Sequence, residues 1–117
     1  MDSFRYALAG LCHAFVSQRN FRVHLAIGLA AIGVSWWLRI CAQSWALLAL
    51  TIGVVLVVEL LNSAAEMLVD LVTPDYHPLA KAIKDLMAGA VLVAALISII
   101  VGVLILGPSL LARLGLG

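Results

Sequence analysis

The segment Val58–Asp70, VELLNSAAEMLVD, follows the apolar run TIGVVLVV and carries Glu59, Asn62, Ser63, Glu66 and Asp70. On a helix turning ~100° per residue, these side chains share a sector about 100° wide, and Leu, Ala, Met and Val fill the rest of the circumference. A structural polar seam suits Ser63 and Asn62 but suits the glutamates poorly. A carboxylate inside a bilayer costs about 2.5–3.5 kcal/mol on insertion scales, and two on one face also repel. A metal cation or basic partners would offset both terms. Candidates follow in the next segment, where Lys81, Lys84 and Asp85 fall within about 100° of helical arc, with His77 close to the same face. The lysines could simply anchor a helix at the membrane surface. Carboxylates, however, hold Mg²⁺ through oxygen, and lysine neutralises phosphate. Phosphoryl transfer needs both, together with a group that orients or deprotonates the attacking hydroxyl. No Walker A motif and no soluble-kinase signature is present. An alternative is a small transporter or channel subunit with a carboxylate-lined ion path. That alternative gives Lys84-Asp85 and the PDYHP loop no role.

The elements that hold these residues belong to an all-α membrane protein. The chain is 65% hydrophobic and 11% charged, against about 25% charged in a soluble domain, so its surface requires a bilayer as solvent. One domain, residues 1–117, accounts for the whole length. Three transmembrane helices are expected, over about 22–38, 44–72 and 79–106. Trp36 and Trp37 suit a membrane interface. No glycine or proline interrupts ELLNSAAEMLVDLV, so the second span should run through the polar stripe to Val72. Thr73-Pro74 ends it, Pro78 suits the first turn of the third span, and Pro108 is expected to mark that span's end. Ahead of the spans, Phe4, Ala7, Leu8, Leu11 and Phe15 recur at helical spacing. They predict an amphipathic surface helix over about 2–18, lying in the interface.

Orientation follows from the basic residues. Arg5, Arg19, Arg22, Lys81 and Lys84 fall on one side of a three-span chain, and Arg39 and Arg113 on the other. The excess places the N-terminus and the loop at 73–85 in the cytoplasm. The stripe therefore starts within the bilayer and emerges on the cytoplasmic side. No cleavable signal peptide is expected. Cys12 and Cys41 have no metal-ligand or redox spacing and read as small apolar residues. A net charge of +1 gives no basis for nucleic-acid binding.

The combination of VELLNSAAEMLVD with PDYHPLAKAIKDLMAGAV closely resembles the signature of the small integral-membrane bacterial lipid kinases, the prokaryotic diacylglycerol kinases and undecaprenol kinases. FRYALAGL, RNFRVHL and the three spans fall in that family's order, so the resemblance covers nearly the whole chain. It implies an ATP- and Mg²⁺-dependent lipid kinase in the bacterial cytoplasmic membrane. It also implies homotrimers whose active sites are shared between neighbouring subunits at the cytoplasmic face.

By position, the resemblance makes Glu59 the general base toward the lipid hydroxyl and Asn62 an active-site residue that orients its neighbours. Glu66 matches a Mg²⁺ ligand that also helps bind ATP. Lys84 and Asp85 match the pair beside the phosphates, Asp75, Tyr76 and His77 the loop at the nucleoside, and Tyr6 an aromatic near adenine. The family often has a second metal-binding glutamate where this chain has Gln18, whose carbonyl can coordinate Mg²⁺ but adds no charge. An arginine that some members use at the start of the surface helix has no counterpart here, and Arg5 is the nearest substitute. RNFRVHL and HPLAKAIKDLMAGAV look more like the undecaprenol kinase branch, yet both candidate lipids present a primary hydroxyl on an apolar body.

Overall fold

In the computed structural model, which describes residues 2–116, every regular element is an α-helix. The surface helix α1 spans Asp2–Ser17, followed by α2 (Arg19–Leu38), α3 (Ala42–Val72) and α4 (Pro78–Arg113). All three later helices are long and apolar enough to cross a membrane. At 1.5 Å per residue, the 31 residues of α3 and the 36 of α4 extend about 46 and 54 Å. Each therefore outreaches a hydrocarbon core of about 30 Å and projects into the interface. Phe4, Leu8, Leu11 and Phe15 of α1 are exposed, as an interfacial helix requires.

The joint between α1 and α2 is a single extended residue, Gln18 (φ −112°, ψ 106°). Arg22 stabilises it by reaching back to α1, where its Nη1 donates to the carbonyls of Phe15 (2.8 Å) and Val16 (3.0 Å). These are carbonyls of the last turn, which lack helical partners, and a cation there also suits the helix dipole. At the opposite end of the bundle, Arg39 closes α2 in the left-handed region (φ 55°). The Trp36 and Trp45 rings meet edge to face at 6.5 Å, and the Arg113 guanidinium stacks 5.0 Å over the Trp37 ring. These contacts join the end of α2 to the start of α3 and the end of α4. Arg39 and Arg113 thus share one end of the molecule.

The expected stop at Pro108 is corrected: α4 continues through it to Arg113. Proline removes one backbone donor and crowds the preceding turn, but it does not end a helix whose remaining bonds hold. Here the Ser109 hydroxyl donates to the Ile105 carbonyl at 3.3 Å, one residue past the Leu104 carbonyl that Pro108 leaves without an N–H partner. Pro78 does occupy the first turn of α4, as expected, and the preceding His77 caps that helix: its Nδ1 accepts from the Leu79 N–H at 3.0 Å.

α3 packs principally against α4 and also against α2. The buried set is small and includes Phe21, Leu48, Val55, Val69 and Ala94, with the polar Ser35, Glu59 and Ser63 among them. Most large apolar side chains of the spans remain exposed, which leaves them for lipid or for other copies of the chain.

Candidate active site

The polar stripe of α3 runs from the interior to the end of the helix that adjoins Lys81 and Lys84 of α4. Glu59 lies 17 residues beyond Ala42, about 26 Å along the axis, and Glu66 and Asp70 follow by two and three turns. Glu59 is 2% exposed. Its Oε1 sits 3.1 Å from His24 Nε2 on α2, within ion-contact distance. The ring and that oxygen are not in hydrogen-bonding geometry, and among the described residues Oε1 has no hydrogen-bond partner. Asn62 Oδ1 is likewise buried without a hydrogen-bond partner among the described residues. The buried Ser63 hydroxyl donates to the Glu59 carbonyl at 3.1 Å, a back-bond within α3. A buried carboxylate oxygen and a buried amide oxygen on one face, both unsatisfied, are costly unless a ligand or neighbouring group completes them.

Farther along the stripe, Lys84 Nζ donates to Asp70 Oδ1 at 2.7 Å, tying the start of α4 to the end of α3. This contact gives Asp70 a partner. Asp85 pairs instead with Lys81, at 2.6 Å. Adjacent helical residues diverge by about 100°, whereas residues four apart lie on one face. Glu66 is half-buried, lies within coulombic reach of Lys84, and makes no hydrogen bond or ion pair among the described residues.

The other expected groups surround this stripe without joining it inside one chain. Tyr6 and Tyr76 are exposed, as is Asp75 in the loop between α3 and α4, whose carbonyl accepts from the Thr73 hydroxyl at 3.2 Å. Gln18 is half-exposed at the elbow, and its side chain does not cap α2. Among the described residues, no side-chain hydrogen bond or ion pair links Tyr6, Gln18, Asp75 or Tyr76 to Glu59 or Glu66. His77 has one ring nitrogen committed to capping, a role the sequence did not announce.

His24 is the site residue that sequence reasoning missed. The available signal was an ionisable side chain in an otherwise apolar span, but nothing local revealed that it faces Glu59.

As for Mg²⁺, no cluster of three His, Cys, Asp or Glu side chains forms a cage among the described residues. A free carboxylate at Glu66 with a lysine nearby fits the other mode, in which one or two carboxylates and the phosphates of a bound substrate share the ion. Apolar space adjoins the stripe. Ala7, Leu11 and Ala14 of α1 and Leu60, Ala64 and Met67 of α3 line a groove that reaches Ser63.

The family model described as prokaryotic diacylglycerol kinase matches residues 5–106. A diacylglycerol kinase of Synechocystis sp. is 51% identical over 94% of this chain, which spans 63% of that relative's length. An undecaprenol kinase of Bacillus subtilis is 43% identical over 92% of this chain and 88% of its own. A diacylglycerol kinase of Escherichia coli K12 is 35% identical over 81% of this chain and 78% of its own.

Proposed function

The chain belongs to the prokaryotic diacylglycerol kinase family, and we propose that it is a lipid kinase that transfers the γ-phosphate of ATP to the primary hydroxyl of diacylglycerol or undecaprenol at the cytoplasmic membrane face. The observation that carries this reading is the buried Glu59 on a polar face that runs out to Glu66, Asp70 and Lys84. Glu59 stands at the depth of a membrane alcohol, while the basic end stands where a soluble nucleotide arrives. The apolar groove between α1 and α3 supports a greasy co-substrate. The names of the relatives divide between the two lipids, and the shared chemistry is a primary alcohol.

Glu59 accepts the proton of the attacking hydroxyl, and the Asn62 amide orients the groups around it. Lys84 exchanges Asp70 for a phosphate oxygen, which its three ammonium donors allow. Glu66, with Gln18 from the elbow, would hold Mg²⁺, which neutralises charge on the phosphates when bound. Tyr6, Asp75, Tyr76 and the free nitrogen of His77 supply the nucleotide's surroundings. Asp85, paired with Lys81, rims the phosphate side. Because these groups stay apart within one chain, the active site is completed between copies in a homotrimer, which the exposed apolar faces of the spans support.

The test uses protein reconstituted in sealed vesicles with either lipid and externally added Mg²⁺–ATP. Phosphorylated lipid should form where the loop at 73–85 faces outward and not where it faces the lumen. Product in neither orientation contradicts the kinase reading, and product only in the reverse orientation overturns the assigned face.

Orientation itself has a separate readout. Cys41, at the start of α3, and Cys12, on α1, are both exposed. The Ser44 hydroxyl, 3.4 Å from Cys41 Sγ, holds that thiol below its ordinary pKa. More thiolate at neutral pH means faster alkylation. In intact cells bearing single-cysteine variants, a membrane-impermeant maleimide should label Cys41 and spare Cys12 until the membrane is permeabilised. The reverse pattern would place the N-terminus outside.

A further inference from the structure

A base buried as deeply as Glu59 has a second task. It must lose the proton it has accepted before the next turnover, and it is 2% exposed. The Ser63 hydroxyl is engaged with the backbone carbonyl of Glu59. Arg22 is held on the carbonyls of α1, and Lys84 is held on Asp70. The ion contact of Glu59 among the described residues is His24, whose Nε2 stands 3.1 Å from Oε1. The His24 side chain is 22% exposed, against 2% for Glu59. It lies five residues into α2, about 7.5 Å beyond Arg19, at the depth where the basic residues mark the membrane surface. Imidazole takes up and releases protons near neutral pH, and its two nitrogens can act in succession.

We propose that His24 is the proton exit for Glu59. The inference rests on the lipid kinase reading. In the transfer step, the lipid O–H bond breaks as its oxygen bonds to the γ-phosphorus, the bond from that phosphorus to the ADP oxygen breaks, and its electron pair leaves with ADP. The hydroxyl proton passes to the Glu59 carboxylate, then from the carboxyl to neutral His24 Nε2. The imidazolium releases its Nδ1 proton to water at the interface, and exchange with that water then moves the remaining proton from Nε2 to Nδ1, so that Nε2 is again an acceptor for the next turnover. In this assignment His24 has no contact with lipid or nucleotide. It acts through Glu59, and its nonaligned contact with Oε1 in the resting chain leaves that oxygen open to the incoming hydroxyl.

The experiment compares wild type, His24→Gln and His24→Ala in detergent micelles, with lipid and Mg²⁺–ATP each varied and oligomer content measured alongside. Both variants should lower kcat by at least about tenfold, the low end of what proton transfer contributes. KM for lipid and for nucleotide should change little. Added imidazole should restore kcat of His24→Ala in proportion to the concentration of its neutral form, and should not affect wild type. Wild-type kcat in either variant overturns the proposal. Restoration by glutamine, or a loss that imidazole does not reverse, also overturns it, because His24 then serves only to pack α2 on α3. Wild-type protein that phosphorylates neither lipid defeats the kinase reading itself, so the two failures are distinguishable.

Discussion

Glu59→Gln is expected to lower turnover by about 10²–10⁴-fold, the range contributed by general-base catalysis, while the oligomer and nucleotide binding persist. The substitution keeps the side chain's size and hydrogen-bonding oxygen but cannot accept the hydroxyl proton. Glu59 is nearly fully buried, and among the described residues its carboxylate meets one ion partner, His24. Neutralising it removes a desolvation cost, so the bundle should be no less resistant to detergent or heat than wild type. The determination is kcat at saturating lipid and Mg²⁺–ATP, beside detergent-resistant oligomer content. Near-normal kcat would show that Glu59 is not the base. Lost activity with a dispersed oligomer would return the stripe to a structural seam.

Glu66→Gln should act on the nucleotide side. Among the described residues Glu66 is the stripe's unpaired carboxylate, and Lys84 lies within its field. Its loss should remove a charged oxygen ligand of the proposed Mg²⁺ site and weaken the field on Lys84. Loss of one positioned electrostatic group in a phosphoryl-transfer site costs on the order of 10²–10³-fold, and kcat/KM for Mg²⁺–ATP should fall on that scale. The Mg²⁺ concentration for half-maximal rate should rise, with KM for lipid little altered. Gln18→Glu is the converse. The Gln18 side chain makes no capping bond at the elbow, so a carboxylate there disrupts nothing in the fold. It should leave kcat intact and lower the Mg²⁺ requirement. An unchanged Mg²⁺ dependence in Gln18→Glu would remove position 18 from the metal site.

The fold was largely legible because lipid imposes simple demands. An apolar run without glycine or proline at its polar end had to remain helical, and α3 does run unbroken through Glu59, Glu66 and Asp70 to Val72. Pro78 in the first turn of α4 followed from its missing N–H, which no helix start requires. Pro108 misled for a related reason: a proline removes one bond of the ladder, and α4 has enough others to continue to Arg113. The site was less legible, because its decisive contacts cross between helices. Lys84 and Asp85 are neighbours in sequence and diverge in space. The rule that favours i,i+4 pairs points instead to Lys81–Asp85, leaving Lys84 for Asp70 across the turn. His24 and Glu59 come together only through the packing of α2 on α3. A lone histidine in an apolar span signals a polar partner but does not say which one.

The most direct measurement is transfer of label from γ-labelled ATP to lipid by the purified wild-type protein, with diacylglycerol and undecaprenol in parallel and with Mg²⁺ present or chelated. Labelled lipid phosphate is expected with at least one of the two alcohols, dependent on Mg²⁺. Absence of labelled lipid with both alcohols, from protein that retains its oligomer, would contradict it.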